Sequence, residues 1–328
     1  MHQGNEAQYV CCDWGTSSLR LSWHQEDNAL PIATSSDSKG ILYVQQQFLS
    51  TPDHSPEARF RFFSALLMDE VNAFTRQHGI KEDVPLLISG MASANIVMQA
   101  LPYASLPFAM DGSGAVTKRW AAGQRPCMMA SGLRADDDIM RGEETQVLGL
   151  YASLKSTGQS PNQALVILPG THSKHVRLED GRITGFKTYM TGEVFCLMFN
   201  NSILAQSVKV NDMTADGCTE HFRHGVQAAQ SGNILNNMFE VRIRGMFNRS
   251  NPEQNFAYLS GLLIGSELKD ISGQEQVPIW ICGSDDMNTA YVMALETLGM
   301  SMDRVKTIPA AHATALGQMT LFKFGGMH

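Results

Sequence analysis

The residues of this chain best suited to chemistry form a short turn near its start. The segment Tyr9-Val-Cys-Cys-Asp-Trp-Gly-Thr-Ser-Ser-Leu-Arg-Leu-Ser-Trp23 sets a carboxylate and a Gly-Thr-Ser-Ser turn between two apolar runs, which predicts a β-hairpin. Gly15, Thr16 and Ser17 are candidate phosphate-binding residues, because backbone N–H groups and hydroxyls can crowd around an anion at such a turn. Asp13 would hold Mg²⁺ through water, since that ion dehydrates reluctantly. An ordinary tight turn closed by an Asx side chain is the alternative.

A partial copy of this pattern recurs about half the chain later. The segment Ala164-Leu-Val-Ile-Leu-Pro-Gly-Thr-His-Ser-Lys-His-Val-Arg-Leu178 is again an apolar run, a Gly-Thr turn and a second run. Gly170 and Thr171 are therefore candidates for a second phosphate-binding turn, and Lys174 for an added positive charge. Because self-similarity fixes architecture, the repeat predicts two related domains that face one another across a phosphate.

Two adjacent carboxylates open a predicted helix between these turns. Glu143 and Glu144 follow Gly142 directly, where the helix macrodipole would stabilise them. Either could instead serve as the base that deprotonates an incoming hydroxyl. The sequence does not separate the two residues, although Glu143 is preferred. Glu193 lies in another Gly-carboxylate step after a strand and is a further candidate.

Polar residues also follow two predicted buried strands, at 85–90 and 278–284. Ligands gather at the carboxyl ends of strands in open α/β sheets, so Ser93 and Asn95 are candidate acceptor-binding residues. Helix capping is the competing interpretation. Gly283 and Ser284 end the later strand, where a glycine would let a flat nucleotide ring approach the backbone.

Length and composition set the broad class. The chain has 328 residues, 43% hydrophobic and 17% charged, with a net charge of −7, which favours two globular domains and argues against a nucleic-acid surface. No apolar run is long enough to span a membrane, and no secretory signal is visible at the N-terminus. The six cysteines lack Cys-x-x-Cys spacing, so we expect a reduced, cytoplasmic protein.

The remaining pattern is that of an α/β chain. It predicts an amphipathic helix that Ser55-Pro56 opens, that runs to about Gln77 and that His78-Gly79 ends. It also predicts a loop-rich stretch over 101–122 and a linker over 155–161. Glycines at 261 and 265 in a helix predict close packing against another element, because glycine costs about 1 kcal/mol in a helix interior.

Several segments together resemble the 2-dehydro-3-deoxygalactonokinase family of the actin-like ATPase and sugar kinase superfamily. They are Asp13-Trp-Gly-Thr-Ser-Ser-Leu-Arg20, Met140-Arg-Gly-Glu-Glu-Thr-Gln146, Pro169-Gly-Thr-His-Ser-Lys174, Met190-Thr-Gly-Glu193 and Leu259-Ser-Gly-Leu-Leu-Ile-Gly265. The resemblance covers nearly the whole chain. Two departures are a missing Gly-Trp near 96–98 and His175 where the family usually shows Trp.

The resemblance implies two RNase-H-like domains with a nucleotide cleft between them. Residues 1–155 would form the acceptor side and 156–311 the nucleotide side, with a last helix at about 312–328 packing back on the first domain. It also implies ATP and Mg²⁺ as cofactors and transfer of the γ-phosphoryl group to the 6-hydroxyl of 2-dehydro-3-deoxy-D-galactonate. Gly283-Ser284 would match the adenosine-side turn.

The acceptor's carboxylate needs hydrogen-bond donors, and Arg141 or Arg20 could supply a bidentate fork; structural ion pairing is the alternative for each. We expect small-molecule partners, no nucleic acid and no membrane, with a homodimer left open. The rival functions are an exopolyphosphatase-like phosphohydrolase and a nucleotide-binding sensor of the same superfamily.

Overall fold

The computed structural model describes residues 7–25, 30–95, 97–210, 215, 217–271 and 276–324. Its strands are β1 (Gln8–Trp14), β2 (Leu19–Gln25), β3 (Ala33–Asp37), β4 (Leu86–Gly90), β5 (Ala104–Ser105), β6 (Phe108–Ala109), β7 (Thr117–Ala122), β8 (Arg125–Ala130), β9 (Leu133–Arg134), β10 (Ile139–Met140), β11 (Gln163–Leu168), β12 (Ser173–Glu179), β13 (Arg182–Tyr189), β14 (Ile279–Gly283) and β15 (Val305–Pro309). Its helices are α1 (Ile41–Leu49), α2 (Pro56–His78), α3 (Glu143–Ser156), α4 (Thr191–Asn201), α5 (Cys218–Ala229), α6 (Ile234–Met246), α7 (Pro252–Leu268), α8 (Asp285–Thr297) and α9 (Ala310–Phe324).

The chain divides into two compact units. The first consists of Met1–Asn162, Leu178–Gly185 and Ala310–His328, and the second of Gln163–Arg177 and Phe186–Pro309. The last helix therefore counts with the first unit, as does the tip of the β12–β13 hairpin. Residues 325–328, included in the predicted last helix, lie outside the described part of the chain.

The first unit is built on a sheet of order β3-β2-β1-β4-β8-β7. Strands β1, β2 and β3 pair antiparallel, whereas β1 pairs parallel with β4 and β4 with β8. Helix α2 covers this sheet through one apolar face, with Phe63, Leu67 and Val71 fully buried. Its ends follow the predicted signals, since Ser55 caps the first turn and Gly79 ends the helix at a φ of 66°.

Helix α1 and strand β7 are the longest elements of this unit that were not predicted. Lys39 to Tyr43 carries no visible helix signal, yet α1 begins at Ile41. The stretch 101–122, predicted to be rich in loops, ends in β7, which pairs antiparallel with β8 along its whole length. That prediction is wrong for β7, because Thr117 to Ala122 forms a hairpin with β8 across the two-residue connection at Gly123 and Gln124, a signal that the sequence analysis did not use.

The second unit repeats the strand order of the first, with β13-β12-β11-β14-β15 in place of β3-β2-β1-β4-β8. Strand β11 pairs parallel with β14, and β14 with β15. Asp180 and Gly181 connect β12 to β13 with φ of 48° and 70°, as a two-residue type I′ hairpin turn requires. The predicted α/β class, with two units of RNase-H-like strand order, is confirmed.

Helices cross closely in each unit at glycines. A Cβ on Gly261 of α7 would lie 2.0 Å from the carbonyl oxygen of Phe222 in α5, which confirms the predicted close packing. In the first unit, a Cβ on Gly149 of α3 would lie 1.8 Å from the carbonyl oxygen of Ala313 in α9. A Cβ on Gly317 of α9 would lie 1.8 Å from the carbonyl oxygen of Thr145 in α3. Helix α9 thus fixes α3, and with it the two adjacent glutamates.

None of the helices within the described residues combines the length and the apolar character needed to cross a membrane.

Candidate active site

The β1–β2 turn is held in place by the start of α1. The carbonyl oxygens of Gly15 and Thr16 accept hydrogen bonds from the N–H groups of Ile41 and Leu42, at 3.0 and 3.2 Å. Helix α1 has no side-chain cap at its N-cap residue Gly40, so the turn itself satisfies two of its first donors. The sequence offered no signal for this support.

Only glycine fits beneath the turn at position 40. A Cβ on Gly40 would lie 2.2 Å from the carbonyl carbon of Ser17. Gly15 donates its N–H to the carbonyl oxygen of Ser18 at 2.9 Å, which closes the turn. The side chains of Thr16 and Ser17 are exposed, so the predicted hydroxyls are available to a ligand.

Asp13 forms an ion pair across the first hairpin. Its Oδ2 lies 3.1 Å from Nη1 of Arg20, its partner in the β1–β2 register. Burial raises the pKa of Asp13 above its ordinary value, Arg20 opposes that shift, and the charge of Glu143 adds to it. Asp13 and Glu143 are therefore electrostatic neighbours, although 130 residues of chain separate them.

Two glycines bring the ends of β1 and β4 and the start of α3 together. A Cβ on Gly90 would lie 2.7 Å from the carbonyl oxygen of Trp14 and 3.2 Å from Oδ1 of Asp13. A Cβ on Gly142 would lie 3.0 Å from Cα of Gly90. Both glycines have positive φ, 91° and 105°, a region that side chains rarely adopt. The backbone contact between them brings Glu143, the residue after Gly142, close enough to Asp13 for its charge to act on that carboxylate.

The two adjacent glutamates have different surroundings. Glu144 is 3% exposed, and its Oε2 accepts from the N–H of Gly142 at 2.7 Å while Oε1 accepts from the Thr145 hydroxyl at 3.0 Å. Burial, and then the charge of Glu143, raise the pKa of Glu144 to about 8. Glu143 is only half-buried, and its Oε2 accepts from the N–H of Arg141 at 2.8 Å. Of the two, Glu143 is the carboxylate that a substrate can reach.

Arg141 is anchored but keeps unused donors. Its Nη1 donates to the backbone oxygen of Ser93 and, at 2.6 Å, to the Ser93 hydroxyl. Its guanidinium lies 4.2 Å from the ring centroid of Tyr103. Nε and Nη2 are buried with no hydrogen-bond partner among the described residues. The structure thus brings Ser93 to Arg141, whereas the carbonyl of Asn95 accepts from Arg59 at 3.0 Å.

In the second unit, the Gly170-Thr171 turn contacts the start of α4. A Cβ on Gly192 would lie 2.5 Å from the carbonyl oxygen of Gly170, and the N–H of Glu193 donates to the carbonyl oxygen of Thr171 at 2.9 Å. The Glu193 carboxylate lies 2.5 Å from Nε2 of His172. By contrast, no atom lies within 4 Å of the position that a Cβ on Gly170 would take, so this side of the turn is open.

The other predicted residues of this unit lie near the same turn. Lys174 is buried, and its ammonium donates to the carbonyl oxygen of His172 at 3.0 Å. A Cβ on Gly283 would lie 3.3 Å from Pro169, so β14 ends beside the turn. Ser284 is the N-cap of α8 and accepts from the Met287 N–H.

A buried carboxylate beneath this turn was missed by the sequence analysis. Glu267 of α7 accepts from the hydroxyls of Ser173 and Tyr291, each at 2.7 Å, and from Nε2 of His175 at 2.8 Å. The Thr191 hydroxyl, at the start of α4, also donates to it. The available signal was a lone glutamate in the apolar run from 258 to 268, since a carboxylate buried there needs several donors.

The residues around Asp13 fit a magnesium–phosphate site. Mg²⁺ usually keeps several waters and is held by one or two carboxylates together with substrate phosphates, which is chemistry that the carboxylate of Asp13 can supply. The charge of Glu143 raises the energy of the charged form of Asp13, a cost that a cation would relieve. A carboxylate beside such an ion can orient a hydroxyl and accept its proton.

Comparisons with known proteins identify the family of this chain. The family model described as 2-keto-3-deoxy-galactonokinase matches residues 13–320. The chain is 28% identical to the 2-dehydro-3-deoxygalactonokinase of Escherichia coli (strain K12), over 91% of this chain and 93% of that protein. It is 31% identical to a Rhizobium meliloti (strain 1021) protein named "Probable 2-dehydro-3-deoxygalactonokinase", over 93% and 94%. A Sinorhizobium meliloti crystal structure bearing the same enzyme name superposes with a TM-score of 0.78 at 28% identity, covering 96% of each chain. The chain belongs to the 2-keto-3-deoxy-galactonokinase family.

Proposed function

We propose that this protein is an ATP-dependent sugar-acid kinase that phosphorylates the 6-hydroxyl of 2-dehydro-3-deoxy-D-galactonate. The proposal rests on the Glu143 carboxylate, which is only half-buried and whose charge acts on Asp13. Gly90 and Gly142 bring the ends of β1 and β4 and the start of α3 together at this place. The names of the relatives supply the substrate.

Phosphoryl transfer depends mainly on positioning and on charge stabilisation. The acceptor oxygen would attack the γ-phosphorus, the bond from that phosphorus to the β–γ bridging oxygen would break, and ADP would leave. Glu143 would orient the acceptor hydroxyl and take its proton. Glu144 is unsuited to this role, because it is buried and both of its oxygens already accept hydrogen bonds.

The two Gly-Thr turns would bind the phosphates of ATP. Backbone N–H groups near Gly15 and Gly170 and the hydroxyls of Thr16 and Thr171 are the donors. When bound beside Asp13, Mg²⁺ would neutralise charge on the β- and γ-phosphates. The nucleotide cleft expected between the domains stays a prediction.

Arg141 is the better candidate for the acceptor's carboxylate. Arg20 already pairs with Asp13, whereas Arg141 keeps two buried donors without a partner. An arginine fork held in place by Ser93 would offer a carboxylate two parallel hydrogen bonds.

The variant Glu143→Gln tests the proposal. We expect kcat with ATP and 2-dehydro-3-deoxy-D-galactonate to fall about 10²- to 10⁴-fold, which is the usual contribution of a general base. The melting temperature should stay unchanged, because the amide oxygen of glutamine can still accept from the Arg141 N–H.

Glu144→Gln is the matched control and should retain most of the turnover. Full activity of Glu143→Gln would move the base to another residue, with Glu193 the next candidate. Loss of ATP at equal rates with and without the sugar acid would indicate a phosphohydrolase instead, and binding of ATP without turnover would indicate a sensor.

A further inference from the structure

A cavity of about 670 Å³ lies in the first unit, apart from the carboxylates described above. Its walls are the first two turns of α2, Asn95 together with residues 97–100, and the start of β7. Asp13, Arg20, Arg141 and Glu143 are not among its lining residues. The volume is in the range of sites that bind small molecules.

The charge of the cavity is unusual for an acidic chain. Arg59, Arg61 and Lys118 line it with a single carboxylate, Glu57. None of the three cations forms an ion pair with a residue in the described ranges, although Asp53 is close enough to feel the charge of Arg61. Like charges that share a cavity raise one another's energy, and a bound anion would relieve that cost.

Contacts that do not neutralise the cations hold two of them at the wall. Arg59 donates through Nη1 to the carbonyl of Asn95, and its Nε is buried without a partner in the described chain. Lys118 donates to the amide oxygen of Gln99 and lies 4.4 Å from the ring centroid of Phe60. A buried donor left without an acceptor is costly, and an anion in the cavity could supply that acceptor.

The rest of the lining suits a hydroxylated carbon chain. The amide groups of Asn95 and Gln99 can bond hydroxyls, while Phe60, Val97 and Met98 offer apolar surface. We propose that this cavity binds a small sugar acid through its carboxylate. The choice of a sugar acid over another organic anion rests on the proposed function, whereas the anion preference rests on the cavity alone.

Calorimetric titration of the full chain with 2-dehydro-3-deoxy-D-galactonate, without ATP, tests the proposal. We expect the Kd to rise about tenfold in Lys118→Met, which keeps an apolar stem over Phe60, and in Arg61→Gln. Arg76→Gln, an exposed change on the same helix outside the cavity, should bind like the unchanged protein. Galactose, which has no carboxylate, should not bind detectably. An unchanged Kd in both cavity variants would overturn the proposal.

The number of sugar-acid molecules bound per chain and the kinetics of the variants then show whether the molecule in the cavity is the acceptor or a separate regulatory ligand. One molecule bound per chain, with a raised acceptor KM and an unchanged kcat in the variants, would mean that the acceptor itself reaches the cavity. Two molecules bound, with an unchanged KM, would mean a separate regulatory sugar acid. Both results support the cavity. If cavity-dependent binding occurs without phosphoryl transfer, the proposed function fails while this inference stands.

Discussion

Neighbouring residues of the same type can have opposite environments in this protein. Glu143 and Glu144 are adjacent, but successive side chains on a helix point about 100° apart. One carboxylate is therefore turned into the protein, while the other stays half-exposed beside Asp13. The sequence predicted the pair of glutamates, but it could not show which of the two is accessible, because that depends on how Gly142 orients the first turn of α3.

The raised pKa of Glu144 makes stability depend on pH. Because its pKa in the folded protein is about 8, against an ordinary 4.5, the folded state keeps a proton that the unfolded chain has lost. The free energy of unfolding should therefore fall as pH rises from about 4.5 to 8. Glu144→Gln should flatten this dependence, since glutamine cannot ionise. Melting temperatures of both proteins from pH 5 to 9 would show it, and parallel curves would contradict the assignment.

Among the helices and strands, the sequence predicted those features whose signals lie within their own segments. Ser55, Pro56 and Gly79 marked α2, and Gly261 and Gly265 marked a close crossing. Helix α1 was missed because its support is not local, since it is capped by the carbonyls of a distant turn. Strand β7 was missed although its partner β8 follows after only two residues, because its own sequence does not alternate between apolar and polar residues.

The crossing of α3 and α9 should not tolerate a methyl group. Alanine normally favours a helix over glycine by about 1 kcal/mol, but a Cβ on Gly317 would lie 1.8 Å from the carbonyl oxygen of Thr145. We expect Gly317→Ala to lower the free energy of unfolding by about 2 kcal/mol or more. Activity should fall as well, because α3 carries Glu143.

Gly245→Ala is a suitable comparison for that change. The Cβ would approach the Asn255 side chain at 3.3 Å rather than a backbone atom, and side chains move more easily. Denaturant unfolding of the two variants should separate them clearly. Equal stabilities would mean that the helices can shift apart at little cost.

For the whole molecule, the repeated hairpins predicted two related units, and the strand orders agree. In the second unit the Gly-Thr turn contacts the start of the helix that carries Glu193, whereas in the first unit it contacts the start of α1. The helix that carries Glu143 begins instead against Gly90, at the end of β4. The repeat was visible because Gly15 and Gly170 sit at matching points of similar segments. The support from Glu267 was not visible, since its partners are scattered over three other elements.

The two turns offer a paired test of phosphate binding. A Cβ on Gly15 would come no closer than 3.5 Å to another atom, and one on Gly170 would meet nothing within 4 Å. Alanine at either position should therefore spare stability but raise the KM for ATP about tenfold, a loss of roughly 1.4 kcal/mol. If both turns bind one ATP, the double variant should raise that KM more than either single variant does, and any departure from the product of the single effects measures the coupling between the turns.

Gly185→Ala controls for the loss of a glycine as such, because its Cβ would also meet nothing within 4 Å. An unchanged KM in both turn variants would remove the turns from ATP binding. Fully multiplicative effects would mean that the two turns act independently.

The bonding between the first turn and α1 also determines which kind of ligand the turn can attract. The carbonyl oxygens of Gly15, Thr16 and Ser18 already accept hydrogen bonds from the chain itself, so the lone pairs that would draw a positive ion are largely engaged before any ligand arrives. The side chains of Thr16 and Ser17 stay exposed, and their hydroxyl groups can donate. The peptide oxygens of the turn are thus poor ligands for a bare cation, and any metal at this place would depend on side-chain carboxylates and on oxygens that the substrate brings with it.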